Sequence, residues 1–66
     1  MKILFIITSD DPETVYNALR LANVAVKNGD EVSVFMLGKA VTFERFPREP
    51  FDVMEQVNAF QGDFYV

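Results

Sequence analysis

Cysteine and histidine are both absent from this sequence of 66 residues. Without cysteine, the chain cannot form a disulfide, and it has no thiolate to act as a nucleophile. Without either residue it lacks the usual zinc ligands, so that only oxygen ligands remain, which suit magnesium or calcium. We therefore expect no catalytic triad, no cofactor and no autonomous enzyme within these residues.

The sequence also lacks a long apolar run and a cluster of basic residues. The first apolar run, residues 3–7, is too short for a signal-peptide core, and no stretch approaches the roughly 20 apolar residues that span a bilayer. Ten acidic and six basic residues give a net charge of −4. Because phosphate neutralisation supplies most of the affinity for nucleic acid, this charge argues against such binding. We expect a soluble, cytoplasmic protein that binds neither nucleic acid nor membrane.

Hydrophobic residues, by contrast, are abundant. They make up 50% of the chain, including seven Phe and two Tyr. A chain of this length forms one domain at most, here residues 1–66, and buries only about 60 % of the surface that its unfolded form exposes. Such a chain exposes an apolar patch unless other copies cover it. Self-association into a homo-oligomer is therefore expected.

Three apolar segments have the character of β-strands, namely residues 2–8, residues 31–37 and residues 63–66. The first is a continuous apolar run rather than an alternating one. Runs of this kind are typical of parallel strands that are covered on both faces, which predicts a central position for this strand.

A helix is predicted from Pro12 to about Asn28. Asp11 is suited to cap its amino end, and Pro12 suits the first helical position. Gly29 is well placed to end the helix in a left-handed conformation.

A second helix is predicted to begin at Asp52, with Glu55 completing a pattern like a capping box, and to end at Gly62. Residues 40–46 are ambiguous between a loop and a short helical turn, and residues 47–50 form a loop bounded by prolines. The order is β-α-β-(turn)-α-β. The fold class is therefore α/β with a mainly parallel sheet and right-handed crossovers.

Ligands of open α/β sheets bind at the carboxyl ends of the strands. This rule selects Ser9, Asp10 and Asp11 after the first strand, and Gly38 and Lys39 after the second. The acidic pair suggests a magnesium site like that of receiver domains, but the later strands supply no acceptor aspartate, and helix capping is the favoured role. The loop has no glycine to cradle a phosphate. Lys39 could hold an anionic substrate, although simple solvation is the more common state of such a lysine.

Three aromatic residues, Phe43, Phe46 and Phe51, surround the two prolines of the predicted loop. They are candidates for a hydrophobic lid or an oligomer contact. Packing within the subunit is an equally supported interpretation, and the sequence does not decide between the two.

The segment at residues 2–13, the helix containing Asn-Ala-Leu-Arg-Leu-Ala at 17–22 and the strand ending Met-Leu-Gly at 36–38 together resemble the DsrE/DsrF-like family of sulfur-relay and related proteins. The resemblance extends through residues 51–53 to residues 64–66. It implies an α/β domain and trimeric, hexameric or related assemblies. It also implies a cysteine-containing loop after the third strand, whose thiol carries persulfide in the members that transfer sulfur.

The chain departs from that pattern because it ends before any such cysteine, so no catalytic residue is carried over. Only the flanking positions correspond, namely Ser9 and Asp10 after the first strand, Gly38 and Lys39 after the second, and Tyr65 and Val66, which lead to the expected loop. The resemblance therefore implies the first half of a DsrE-like domain, related to intracellular sulfur transfer but inactive alone. Its expected partners are copies of itself or related DsrE-like subunits. The alternatives are a non-enzymatic oligomerisation or interaction module, and a small-ligand or metal-binding module.

Overall fold

The computed structural model describes all 66 residues as a three-stranded parallel sheet with helices. The elements in chain order are β1 (Lys2–Ile7), α1 (Pro12–Lys27), β2 (Glu31–Met36), a 3₁₀ helix (Gly38–Arg45), α2 (Val53–Ala59) and β3 (Asp63–Tyr65). Both strand pairs, β1 with β2 and β2 with β3, are parallel. The predicted α/β class and the order of the elements are confirmed.

The central strand of the sheet is β2, since the spatial order is β1-β2-β3. The prediction that the first strand is central and covered on both faces is therefore wrong. Leu4 and Ile6 of β1 are 59% and 60% exposed, whereas Ile7 is buried. An apolar run shows only that the side chains on both faces are apolar. Whether each face is covered depends on where the helices lie, and the sequence of the strand does not determine this.

Local capping residues set the ends of α1, as predicted. The side chain of Asp11 accepts a hydrogen bond from the backbone N–H of Thr14, and Pro12 is the first helical residue. At the other end Asn28 is the C-cap, and Gly29 follows with a φ of 89°, a conformation that favours glycine.

The core lies between the helices and one face of the sheet. Helix α1 packs against α2 and against β1 and β2. The buried side chains form one cluster of Ile7, Val15, Leu19, Ala22, Ala25, Val32, Val34, Met36, Ala40, Phe43 and Val53. All of them are apolar, and no buried side-chain nitrogen or oxygen lacks a partner.

Helix α2 begins as predicted but ends earlier. The Asp52 side chain accepts a hydrogen bond from the Glu55 N–H, which confirms the predicted cap. The helix stops at Ala59, because Phe60 adopts an extended conformation with φ −72° and ψ 126°. The prediction that Gly62 ends the helix is wrong. The ring of Phe60 lies 6.5 Å from that of Phe64 on β3, so contact with the strand that directly follows accompanies the early ending.

The second face of the sheet carries no helix. Side chains alternate between the two faces along a strand, and the ones that point away from the core form a surface that we call the open face. It consists of Lys2, Leu4, Ile6, Glu31, Ser33, Phe35, Asp63 and Tyr65. Both its outer strands, β1 and β3, are edge strands.

Candidate functional site

The carboxyl ends of β1 and β2 lie side by side, as parallel pairing requires. The backbone N–H of Leu37 donates to the carbonyl oxygen of Ile7 at 2.9 Å, which carries the ladder to the end of both strands. Gly38 follows with a φ of 56°, and a Cβ at this position would lie 4.0 Å from the carbonyl oxygen of Thr8. The segments that begin at Thr8 and at Leu37 are thus neighbours at this edge.

Within the first of these segments, Ser9 and Asp11 take part in helix capping. The Ser9 Oγ accepts from the Asp11 N–H at 3.0 Å. The Asp11 Oδ2 accepts from the Thr14 hydroxyl at 2.7 Å and from the Thr14 N–H at 3.1 Å. These two bonds, the hydroxyl first, hold the pKa of Asp11 below its ordinary value. A cation that bound this carboxylate would compete with them.

Asp10 and Lys39 are exposed and form no salt bridge. The carbonyl of Lys39 accepts from the Thr42 hydroxyl at 2.8 Å, but this bond orders the 3₁₀ helix rather than the lysine amine. No group of three or more histidine, cysteine or acidic side chains could hold a metal ion. A ligand at Ser9, Asp10, Asp11, Gly38 and Lys39 stays a prediction.

The three aromatic candidates lie in contacts within the subunit. Phe43 is buried, and its ring meets that of Phe64 edge-on at 5.6 Å. Phe46 is half-buried against the core. The ring of Phe51 lies 5.5 Å from that of Tyr16 on α1. An additional contact with another subunit through these residues stays a prediction.

A shallow groove between the two helices was not predicted from the sequence. Its volume is about 260 Å³, and its lining residues are Asn23, Val26, Lys27, Gln56, Ala59 and Gln61. Asn23, one of the lining residues, donates hydrogen bonds to Gln56 across the helix pair. The two positions are 33 residues apart, and no short motif in the sequence signals their contact.

The open face carries an exposed apolar patch of the kind that the composition predicted, but the sequence did not reveal where it lies. The strand register places Ile6, Phe35 and Tyr65 in one row across all three strands. The rings of Phe35 and Tyr65 stack with centroids 5.5 Å apart. Both rings remain partly exposed, at 37% and 48%. Period-two alternation sorts side chains onto two faces but cannot say which face is left without helices.

A family model described as the DsrE/DsrF-like family matches residues 1–61. The chain belongs to the DsrE/DsrF-like family. The match begins with β1 and includes both helices, and it confirms the resemblance found in the sequence. No curated protein and no solved structure matches this DsrE/DsrF-like chain.

The longest helix of this DsrE/DsrF-like chain, α1, has 16 residues. Neither it nor any other helix has the length and apolar character to cross a bilayer.

Proposed function

We propose that this chain works in sulfur transfer as an assembling subunit that does not itself carry sulfur. Membership of the DsrE/DsrF-like family, which is linked to sulfur relay, supports the first part of the proposal. Thiolates are the sulfur nucleophiles of proteins, and these 66 residues contain no cysteine. The role left to them is binding to other subunits, either copies of this chain or related DsrE-like proteins.

The observation that carries the proposal is the apolar part of the open face. Leu4, Ile6, Phe35 and Tyr65 are neighbours on it, and all four are exposed. Parallel sheets occur almost only where both faces are covered. Contiguous apolar surface on a folded protein commonly marks a contact with another molecule. An assembling role accounts for this surface.

The strand-end edge supports binding rather than chemistry. The Ser9 hydroxyl oxygen is used by the Asp11 N–H, and the chain has no imidazole that could act as its base. The carboxylate of Asp11 is used by Thr14. These contacts leave the edge without an activated nucleophile.

A sulfur-transfer assay tests the proposal directly. The purified chain is incubated with a cysteine desulfurase and ³⁵S-labelled cysteine, with and without a cysteine-bearing DsrE/DsrF-like protein from the same source. We expect no stable label on this chain, and we expect it to sediment with the cysteine-bearing protein. Label on the chain, or separate sedimentation of the two proteins at every concentration, would contradict the proposal.

A matched control variant shows that the assay can detect a persulfide on this fold. Lys39→Cys places one thiol at an exposed position at the carboxyl end of β2. It should accept label from a low-molecular-weight persulfide, and alkylation of the thiol should prevent this. The unmodified chain should stay unlabelled under the same conditions.

A further inference from the structure

The turn between α1 and β2 contains the pair Asn28-Gly29, in which the asparagine side chain has no partner. Asn28 is exposed at the C-cap of α1, and its carboxamide makes no hydrogen bond within the chain. Gly29 is exposed as well, and a Cβ at this position would find no atom within 4 Å. The carboxamide therefore has open space around it and no contact that fixes its orientation.

An asparagine followed by glycine can react with the backbone that follows it. The backbone nitrogen of Gly29 attacks the Cγ of Asn28, and the new N–C bond closes a succinimide ring. The side-chain nitrogen leaves as ammonia, which takes up the proton that the Gly29 nitrogen loses. Water then opens the ring at either carbonyl, so that position 28 becomes aspartate or its β-linked isomer, isoaspartate. Glycine favours the attack because it has no side chain to shield its nitrogen and lets the backbone rotate.

The end of α1 restrains this reaction without preventing it. The Gly29 N–H donates to the carbonyl oxygen of Val26 at 3.0 Å, and Asn28 has a ψ of 2°. Before the ring can close, this bond must break and ψ of Asn28 must rotate well away from that value. Helix ends open at a much smaller free-energy cost than helix interiors. The reaction therefore needs local opening of the last turn of α1 and no global unfolding.

The other asparagines lack this combination of features. Asn17, Asn23 and Asn58 lie within α1 or α2, and each precedes a residue that has a Cβ. The amide of Asn23 is also held by its bonds to Gln56. We infer that Asn28 is the site of spontaneous deamidation in this chain, and that opening of the last turn of α1 sets its rate. The inference does not depend on the proposed function.

Deamidation should loosen the connection from α1 to β2. Both products place a carboxylate at the carboxyl end of α1, where the helix dipole disfavours negative charge. Isoaspartate also adds a methylene to the backbone. The bonds from the Gly29 N–H to Val26 and from the Asp30 N–H to the carbonyl of Ala25 at 3.0 Å both span the altered linkage. Their geometry is lost when the linkage lengthens.

Incubation of the purified chain in mildly alkaline buffer tests the inference, because the attack needs the Gly29 nitrogen to lose its proton. Trypsin, which cuts after lysine and arginine, then separates the asparagines into four peptides, residues 3–20, 21–27, 28–39 and 49–66. The mass change from NH₂ to OH should appear at Asn28 at least about tenfold faster than at the other asparagines. An aliquot digested before incubation corrects for reaction during the digest, and labelling of the intact chain by an isoaspartate methyltransferase identifies the β-linked product.

A synthetic peptide of residues 24–33 gives the rate without a folded helix end, and it should react faster than the folded chain. Asn28→Ser is the matched control for stability, since it removes the carboxamide. The urea midpoint of the wild-type chain should fall during incubation, and that of Asn28→Ser should stay constant. Asn28→Asp carries the new charge without the added methylene, so its midpoint should lie between those of the fresh wild-type chain and the isolated isoaspartate form.

Three results would overturn the inference. Equal rates at Asn28 and Asn17 in the folded chain would mean that Gly29 and the helix end confer no selectivity. Equal rates at Asn28 in the folded chain and in the peptide would mean that opening of α1 does not set the rate. An Asn28 that stays intact while the peptide reacts would mean that the turn does not open far enough. A constant midpoint in a fully converted chain would contradict the predicted loosening.

Discussion

Asn23 on α1 holds α2 in place through two hydrogen bonds from one amide group. Its Nδ2 donates to the backbone carbonyl of Gln56 at 3.1 Å and to the Oε1 of the same residue at 3.0 Å. Both bonds are partly buried, and they join the two helices directly. Since α2 has only seven residues, too few to be stable alone, contacts with α1 are needed to keep it helical.

Replacing Asn23 by Ala should therefore lower the free energy of unfolding by about 1 to 2 kcal/mol, because the Gln56 carbonyl loses its partner in a partly buried site. Urea unfolding followed by circular dichroism measures the change. The control is Asn17→Ala on the same helix, where the side chain is exposed and the effect should stay within about 0.5 kcal/mol. Equal effects from the two variants would show that the bond to Gln56 is not needed.

Because its side chain caps α1, Asp11 should contribute more to the stability of the fold than its neighbour Asp10. Asp11→Ala removes the acceptor for the Thr14 N–H and hydroxyl and should shift the urea midpoint downward, while Asp11→Asn should keep most of the wild-type value because asparagine is also a good cap. Asp10→Ala is the control, since that side chain is exposed without a salt bridge. A larger loss from Asp10→Ala would indicate that the acidic pair serves something other than capping.

The acid sensitivity of the fold should depend partly on Asp11. Its pKa is lowered in the folded chain by the bonds from Thr14, so the unfolded state binds the proton more readily. The resulting contribution to stability is present above the unfolded pKa of an aspartate, about 3.9, and is lost as the pH falls through the lower folded value. Urea midpoints measured from neutral to acid pH should fall less steeply in Asp11→Asn than in the wild type. Identical slopes would contradict this assignment.

Residues close to the helix ends correctly predicted both ends of α1 and the start of α2. Asp11, Pro12 and Gly29 act within a turn of the helix end, so their effect can be read from a short stretch of sequence, and the structure confirms both ends of α1. Asp52 predicted the start of α2 for the same reason. The end of α2 was mispredicted, because Phe60 leaves the helix beside Phe64.

The position of β1 in the sheet and the location of the open face could not be predicted in the same way. Ile3 and Leu4 have the same chemical character, yet one packs against the core and the other is exposed. The difference arises because the helices that follow β1 and β2 share one face of the sheet. For the strand-end residues, parallel pairing predicted that the segments after β1 and β2 lie together, but it could not show that Ser9 and Asp11 bond within their own segment.

The turn from α2 into β3 should be the position least tolerant of an added methyl group. A Cβ at Gly62 would collide with the carbonyl oxygen of Val32 in β2 and with the ring of Phe60. Because the Val32 oxygen belongs to the backbone of β2, the collision with it is relieved only if β3 shifts away from β2. Gly62→Ala should therefore lower the free energy of unfolding by at least about 2 kcal/mol.

Gly29→Ala provides the comparison for this effect. Its φ of 89° disfavours a side chain, but no atom lies within 4 Å of the added Cβ, so the cost should be limited to about 1 to 2 kcal/mol of backbone strain. Hydrogen exchange separates the two causes. In Gly62→Ala the amides of the β2–β3 pairing should lose protection from exchange. In Gly29→Ala the same amides should stay as well protected as the global stability of that variant allows. If the amides of β3 keep their protection in Gly62→Ala, the strand accommodates the methyl group, and the close approach to Val32 does not fix the position of β3.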